Sequence, residues 1–184
     1  MTTKWKTRDL TLSAMFAVVI AICSWISIPM VIPVTMQTFA VFLAVGVLGG
    51  RRGTMAVAVY LLMGLVGLPV FSGFSGGVGV LGGATGGYIV GFLLSALVMW
   101  AMESAFGRST AALAVSMVVG LVVCYFFGTV WYMAAYAGET GTAGVWGALS
   151  MCVLPYVLPD LAKLALALSI RNRLTKALRL ETQE

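Results

Sequence analysis

The fold class is decided by an uncharged stretch of 41 residues, 10–50, which reads LTLSAMFAVVIAICSWISIPMVIPVTMQTFAVFLAVGVLGG. A helix that crosses a membrane needs about 20 mainly apolar residues, so this stretch is long enough for two such helices. Two further uncharged runs follow: Gly53–Met102, with 50 residues, and Ser109–Gly138, with 30 residues. We therefore predict an all-α integral membrane protein.

The composition of the 184 residues supports this class. Hydrophobic residues make up 61% and charged residues 9% of the chain, against about 45–50% and about 25% in average soluble proteins. The absence of histidine from the sequence excludes a His-ligated metal and a Ser-His-Asp triad. The sequence also lacks a GxxxxGK(S/T) motif, which excludes hydrolysis of ATP through a P-loop. The three widely spaced cysteines are interpreted as buried small hydrophobes.

Prolines, glycines and charges divide the chain into six predicted spans within a single transmembrane domain, 1–184. The predicted spans are 9–28, 37–48, 54–68, 83–103, 110–136 and 145–170, with a break at 155–159 between two prolines. The second span would be only about 18 Å long, against about 30 Å of bilayer hydrocarbon. Non-helical backbone at membrane depth must line a cavity or be buried in protein. We therefore predict that the loops after the first and third helices cover a pocket.

The basic residues predict the orientation in the membrane. Ten of the eleven lie on one side of the predicted topology: before the first helix, after the second, after the fourth and after the sixth. Because Lys and Arg are concentrated in cytoplasmic loops, both termini are predicted to be cytoplasmic. The positive charge is thus a topology signal that also suits contact with membrane lipid, and it does not indicate binding to nucleic acid.

Asp160 and Lys163 are the only charged residues in the interior of a predicted span, since Asp9 and Glu103 are end residues of their spans. Asp160 precedes Arg171 by eleven residues, which places it about 16 Å from the cytoplasmic boundary. The i, i+3 spacing puts both side chains on one helix face, and charges inside a membrane mark functional sites by default. The alternative is a salt bridge that only holds the helices together. The nearby prolines favour a site, because a broken helix leaves free N–H groups beside a cavity.

The stretch Gly73–Gly91 contains nine glycines in nineteen residues. Its first half, which includes Gly79, permits tight turns and close approach of the backbone to a ligand. From Gly83 onward, small residues recur every four positions, which is typical of closely packed membrane helices. Thr85 and Tyr88 could each offer a hydroxyl group to a ligand. Aromatic residues of the same half of the bundle are either an interfacial belt or walls of the pocket: Phe71, Phe74, Trp131, Tyr132 and Tyr156.

The first helix carries a stripe of small residues at four-residue spacing, formed by Ser13, Ala17 and Ala21. Such a stripe lets helix backbones approach closely, either within the bundle or against a partner. Because the chain has no phosphate-binding loop, uphill transport would need energy from another polypeptide. We predict that the partner docks on this stripe.

Four motifs together resemble the BioY-type biotin transporters, which are the substrate-binding (S) components of energy-coupling factor (ECF) transporters. The motifs are PVTMQTF (33–39), GLPVF (67–71), TGGY (85–88) and LPYVLPDLAK (154–163). The resemblance covers nearly the whole chain. It departs from the family at Ala84, where Pro is usual, and at Pro159, where Gly is usual.

The resemblance implies a six-helix protein of the prokaryotic cell membrane, with internal termini and an outward-facing pocket. Such a protein captures biotin with high affinity for an ATP-driven importer. It is not an enzyme and uses no cofactor, and its partners are a transmembrane coupling subunit and two ATPase subunits. In the family the helix 6 acid and lysine contact the ligand, because a carboxylate accepts from ureido N–H groups and an ammonium donates to the ureido C=O. The predicted ligand site comprises Asp160, Lys163, Tyr88, Thr85, Gln37, Phe71 and Gly79.

Three alternatives remain open. The same fold could bind another small vitamin or a cofactor precursor. An intramembrane enzyme could use Asp160 as an acid or base, with Lys163 lowering its pKa. However, the interiors of the spans contain no second carboxylate, and the chain contains no histidine. A purely structural subunit would not need the buried charged pair. Binding of biotin to the purified protein distinguishes these functions best.

Overall fold

A computed structural model describes residues 6–30, 32–136 and 145–178 of the chain. Two of the basic residues, Lys4 and Arg179, lie outside these ranges, as do all of the residues 138–144 that precede the sixth predicted span. The helices are α1 (Thr7–Trp25), α2 (Gln37–Leu48), α3 (Gly50–Leu65), α4 (Val78–Gly82), α5 (Gly86–Phe106), α6 (Thr110–Tyr136), α7 (Val145–Cys152) and α8 (Leu154–Ala177). Two short strands, β1 (Ser27–Ile28) and β2 (Val34–Thr35), pair antiparallel between α1 and α2. A single 3-10 turn, Ser72–Phe74, lies between α3 and α4.

Helical segments lie at all six predicted positions, and α2 and α6 have the predicted bounds. Four segments are long and apolar enough to cross a membrane: Thr7–Trp25, Gly86–Phe106, Thr110–Ala135 and Val145–Ala177. The other two are shorter, with 12 residues in α2 and 16 in α3. The prediction that the second helix is short is therefore confirmed, and the third helix is short as well.

Two predicted helix starts are wrong. The third helix begins at Gly50 instead of Thr54, because Gly49 completes the turn alone with φ 86° and ψ 164°. A positive φ of this kind is readily adopted only by glycine. The fourth predicted helix begins at Gly86, because the residues before it form α4 as a separate short helix.

The short helix α2 lies at the centre of the bundle. Eleven of its twelve residues are buried, and it packs against α1, α3, α5 and α8. Its sequence is apolar on nearly every face, as expected of a helix surrounded by protein on all sides. The prediction of close packing from the glycine repeat is also confirmed, because α5 lies directly against α6. A Cβ atom at Gly87 would lie only 2.3 Å from the Cβ of Trp131.

The two ends of the bundle differ in chemistry. At one end, which we call the basic end, Arg52 forms a 3.0 Å ion pair with Asp9. Arg171 of α8 donates hydrogen bonds to the carbonyls of Gly46 (3.1 Å) and Arg108 (3.0 Å) at the same end. The opposite end, which we call the loop end, consists of the β1–β2 hairpin and the segment 66–85 between α3 and α5. The direction of these ends across the membrane stays a prediction.

The small-residue stripe of α1 faces the interior of this chain. Ser13, Ala17 and Ala21 are only 1%, 0% and 3% exposed, and the Ser13 hydroxyl donates to the carbonyl of Arg52 in α3 at 3.1 Å. The prediction of a partner-docking face at this stripe is therefore wrong, because neighbouring helices of the same chain already cover it. The exposed face of α1 instead carries larger apolar residues: Leu10, Met15, Val18 and Ile22.

Candidate ligand-binding site

A cavity of about 110 Å³ lies between α2, α5, α6 and α8 and extends to the loop end. Because about 10–15 Å³ on this measure holds one water molecule, the cavity has room for a small organic molecule. Six of the seven predicted site residues line it: Gln37, Phe71, Thr85, Tyr88, Asp160 and Lys163. Gly79 is not among the lining residues, although its neighbour Val80 is. That these side chains contact a ligand stays a prediction.

Asp160 and Lys163 form the charged part of the cavity wall. The Nζ of Lys163 lies 2.7 Å from Oδ1 of Asp160, and the two residues are only 8% and 5% exposed. The second carboxylate oxygen, Oδ2, accepts a 2.6 Å hydrogen bond from the hydroxyl of Tyr125 on α6. Both oxygens of the buried carboxylate are thus partnered, which offsets the cost of removing a charge from water.

The start of α8 aims this pair into the cavity. The chain breaks at Val153, where φ −124° and ψ −57° separate α7 from α8. Pro155 then occupies the first turn of α8, where its missing N–H would have had no helical partner. Pro159 lies inside the helix and leaves the carbonyl of Pro155 without its usual donor. The predicted break at 155–159 is therefore wrong, because these residues are helical and the backbone turns two residues earlier.

Gln37 is held at the N-terminus of α2 by a contact with α3. Its Nε2 donates to the hydroxyl of Tyr60 at 2.9 Å, and both side chains are buried. The ring of Tyr60 packs edge-on against Phe71, with centroids 5.6 Å apart. This chain of contacts connects α2 and α3 to the loop-end segment that carries Phe71. Gln37 and Phe71 line the cavity, and Tyr60 supports them from behind.

Tyr88 contributes to the opposite wall from the first turn of α5. Its hydroxyl lies 3.0 Å from Oγ1 of Thr129 on α6. The ring fits against Gly128, where an added Cβ atom would lie 2.3 Å from Cδ1 of Tyr88. A glycine at this position of α6 therefore gives the tyrosine ring its place in the cavity wall.

The loop end of the cavity contains no charged side chain among the described residues. Its lining includes the hydroxyl residues Ser72, Ser75 and Thr85, all of them partly exposed. The hairpin covers the cavity beside them, because the Tyr156 hydroxyl of α8 donates to the carbonyl of Ile32. The predicted cover by the loops after the first and third helices is confirmed, since Pro33, Val34, Ser72 and Ser75 all line the cavity.

Sequence reasoning missed several polar residues of the cavity wall, among them Tyr125 and Ser95. Tyr125 is absent from the predicted ligand site, although it carries a hydroxyl group within a 30-residue uncharged run. Ser95 belongs to the repeat of small residues that starts at Gly83 and predicts only helix packing. In the structure it lines the cavity, and its buried Oγ has no hydrogen-bond partner among the described residues. A buried polar atom without a partner is uncommon, and this Oγ lies against α6, where an added Cβ atom at Gly120 would be 2.5 Å from it.

Comparisons with known proteins agree with this arrangement. The sequence model of the BioY protein family matches residues 1–180 of this chain. The biotin transporter BioY of Thermotoga maritima is 41% identical over 170 residues, covering 92% of this chain and 96% of that protein. The probable biotin transporter BioY of Pyrococcus horikoshii is 34% identical over 170 residues, covering 92% and 97% of the two chains.

A crystal structure of the S-component for biotin from an ECF-type ABC transporter has the same fold. It superposes with a TM-score of 0.82 and 25% sequence identity, and the match covers 96% of this chain and 95% of that one. The matched relatives are transporters and not enzymes. Because these matches cover nearly the whole chain, we conclude that it belongs to the BioY family.

Proposed function

We propose that this chain binds biotin and acts as the substrate-capture component of an ECF-type importer. The observation that carries the proposal is the buried Asp160–Lys163 pair in the wall of the cavity. It lies in a chain whose named relatives are biotin transporters. Such a pair presents an anion and a cation side by side in a mainly apolar surrounding, where polar groups of a ligand are recognised strongly.

The bicyclic end of biotin suits this part of the cavity. Its ureido group has two N–H donors and one carbonyl acceptor. In our proposal the Asp160 carboxylate accepts from one N–H, and the Lys163 ammonium donates to the carbonyl. The fused rings then lie against apolar and aromatic side chains, among them Phe71, Tyr88 and Phe92.

The proposal includes an orientation in the membrane. Six spans would place the basic end in the cytoplasm, because arginines of four separate segments gather there, and the loop end would face outward. The cavity would then receive biotin from outside a prokaryotic cell, beneath the hairpin and the segment 71–75. Irregular backbone of this kind is tolerated at membrane depth where it lines a cavity.

Energy for accumulation would come from other subunits. The chain has no P-loop sequence. Asp160 is the only acid in the interior of a predicted span, and it is committed to the pair with Lys163. We therefore propose a transmembrane coupling subunit and two ATPase subunits as partners. Their docking surface on this chain would lie outside the buried stripe of α1.

Two measurements on the purified protein, one in detergent and one in vesicles, test the function. Titration of detergent-purified protein with biotin should show saturable binding at one site per chain, and pantothenate, another small vitamin acid, should not compete. In vesicles, biotin should accumulate against a gradient only when the coupling subunit, the ATPases and ATP are present. Absence of biotin binding would refute the ligand, whereas accumulation by this chain alone would refute the need for partners.

Replacement of Tyr125 by Phe should weaken biotin binding by about tenfold or more while the protein stays folded. The change removes one hydrogen bond to the Asp160 carboxylate, and a hydrogen bond to a charged group contributes about 1.5–3 kcal/mol. Isothermal titration of the purified variant measures the loss. Replacement of Tyr132 by Phe, a buried tyrosine outside the cavity wall, is the matched control and should leave the affinity unchanged. Equal affinities for the Tyr125→Phe variant and the wild type would show that Tyr125 does not hold the carboxylate for the ligand.

A further inference from the structure

The cavity changes in character from its buried end to the loop end. Asp160 and Lys163, 5% and 8% exposed, lie at the buried end. Ser72, Ser75 and Thr85 lie at the loop end, where each is partly exposed. A ligand that fills the cavity therefore has one end held by charges in a water-poor surrounding and the other beside neutral hydroxyls that remain in contact with solvent.

The charge at the buried end decides which end of biotin enters first. The tail carboxylate of biotin is an anion, and Asp160 is an anion that already has Lys163 as its cation. Placing the tail there would bring two carboxylates to one ammonium, and like charges in a shared buried site oppose each other. The neutral ureido ring avoids this repulsion, so the ring occupies the buried end and the tail points to the loop end.

Neutral groups meet the tail at the loop end. Among the described residues that line the cavity, Lys163 is the only cation, and neither Val31 nor residues 137–144, outside the described ranges, contain a Lys or Arg. A hydroxyl group both donates and accepts hydrogen bonds, so it can pair with a carboxylate oxygen or with either part of an amide. Hydroxyls exposed to water thus have little means of favouring the charged tail over an uncharged one.

From this gradient we propose that the site also takes biotin amides, that is, biotin whose tail carboxyl is joined to an amine, with an affinity close to that for free biotin. This inference rests on the proposed function, because it specifies the ligand class of the same cavity. Recognition then depends on the ring end, and the tail carboxylate contributes little to affinity.

The test compares biotin with biotinamide, which has the same rings and chain but an uncharged primary amide at the tail. Both are titrated into detergent-purified full-length protein at neutral pH. We expect dissociation constants that differ by less than about fivefold, since loss of a charge-assisted hydrogen bond would cost more than about tenfold. The Asp160→Asn variant should weaken both ligands by the same factor, because both place the ring at the buried end.

Three results would overturn the inference. Binding of biotin together with biotinamide weaker by more than about tenfold would mean that the loop end recognises the carboxylate. Weakening of biotin alone by Asp160→Asn would mean that the amide binds elsewhere. Binding of neither ligand would refute the proposed function itself and this inference with it, and the biotin titration distinguishes that failure from the other two.

Discussion

Replacement of Asp160 by Ala is expected to weaken biotin binding by about 2–5 kcal/mol, or about 30- to 5,000-fold. The change removes the acceptor for a ureido N–H. It also leaves Lys163 buried without the carboxylate that now lies 2.7 Å from its Nζ, and the Tyr125 hydroxyl without the oxygen to which it donates. Unpartnered buried groups of this kind carry the full cost of their desolvation. Titration of the purified variant with biotin measures the loss.

The matched control for this experiment is Asp9→Ala. Asp9 is also a buried acid, 7% exposed, and it is paired with Arg52 at 3.0 Å, but it lies at the basic end outside the cavity. Its replacement should leave biotin affinity unchanged, which separates loss of a ligand contact from loss of any buried acid. Wild-type affinity in a folded Asp160→Ala variant would place the ligand site elsewhere.

Replacement of Lys163 by Met should lower the free energy of unfolding by about 3–5 kcal/mol, the usual effect of removing one partner of a buried ion pair. The methionine keeps much of the volume, so the main effect is that the Asp160 carboxylate, at 5% exposure, loses its ammonium partner and retains only Tyr125. Thermal unfolding in detergent, followed by the loss of helical circular dichroism, measures this change as a lower midpoint temperature.

A second substitution makes the cause of that destabilisation testable. The double variant Asp160→Asn, Lys163→Met carries no buried charge, and the Asn side-chain carbonyl can still accept from the Tyr125 hydroxyl. It should recover most of the stability lost by the single variant, because replacing both members of a buried pair is often nearly neutral. Neither variant should bind biotin tightly. A double variant as unstable as Lys163→Met would mean that packing of the lysine stem, and not the unpaired charge, explains the loss.

The charged pair of the site could be recognised from the sequence because its evidence is local. Asp160 and Lys163 lie three residues apart within an apolar segment, and an α-helix places such residues on one face. The observed ion pair confirms that spacing. Tyr125 could not be recognised in the same way. It meets Asp160 across 35 positions of sequence and two helices, so the contact depends on how α6 is rotated against α8. Tyr60, Tyr88 and Tyr132 lie in helices of the bundle as well, and nothing local distinguishes Tyr125 from them.

The break in the last segment shows a similar division. The prolines at 155 and 159 indicated a weak point, since each removes a backbone donor. Only the packed structure decides that the chain turns at Val153 and continues as helix through both prolines. Pro155 lies in the first turn, where no donor is needed, and Pro159 costs a single hydrogen bond beside the cavity. Propensity alone does not distinguish these positions.

The sequence by itself determined the membrane class, the bounds of α2 and α6, and the position of the charged pair, because charge, hydropathy and helical period act along the chain. Tertiary structure decided which helix faces look inward. In a soluble helix the polar side marks the surface, but in a bilayer the face toward lipid and the face toward protein are both apolar. The stripe of Ser13, Ala17 and Ala21 was for that reason compatible with a partner or with the bundle interior, and only the packing of α1 on its neighbours selected the interior.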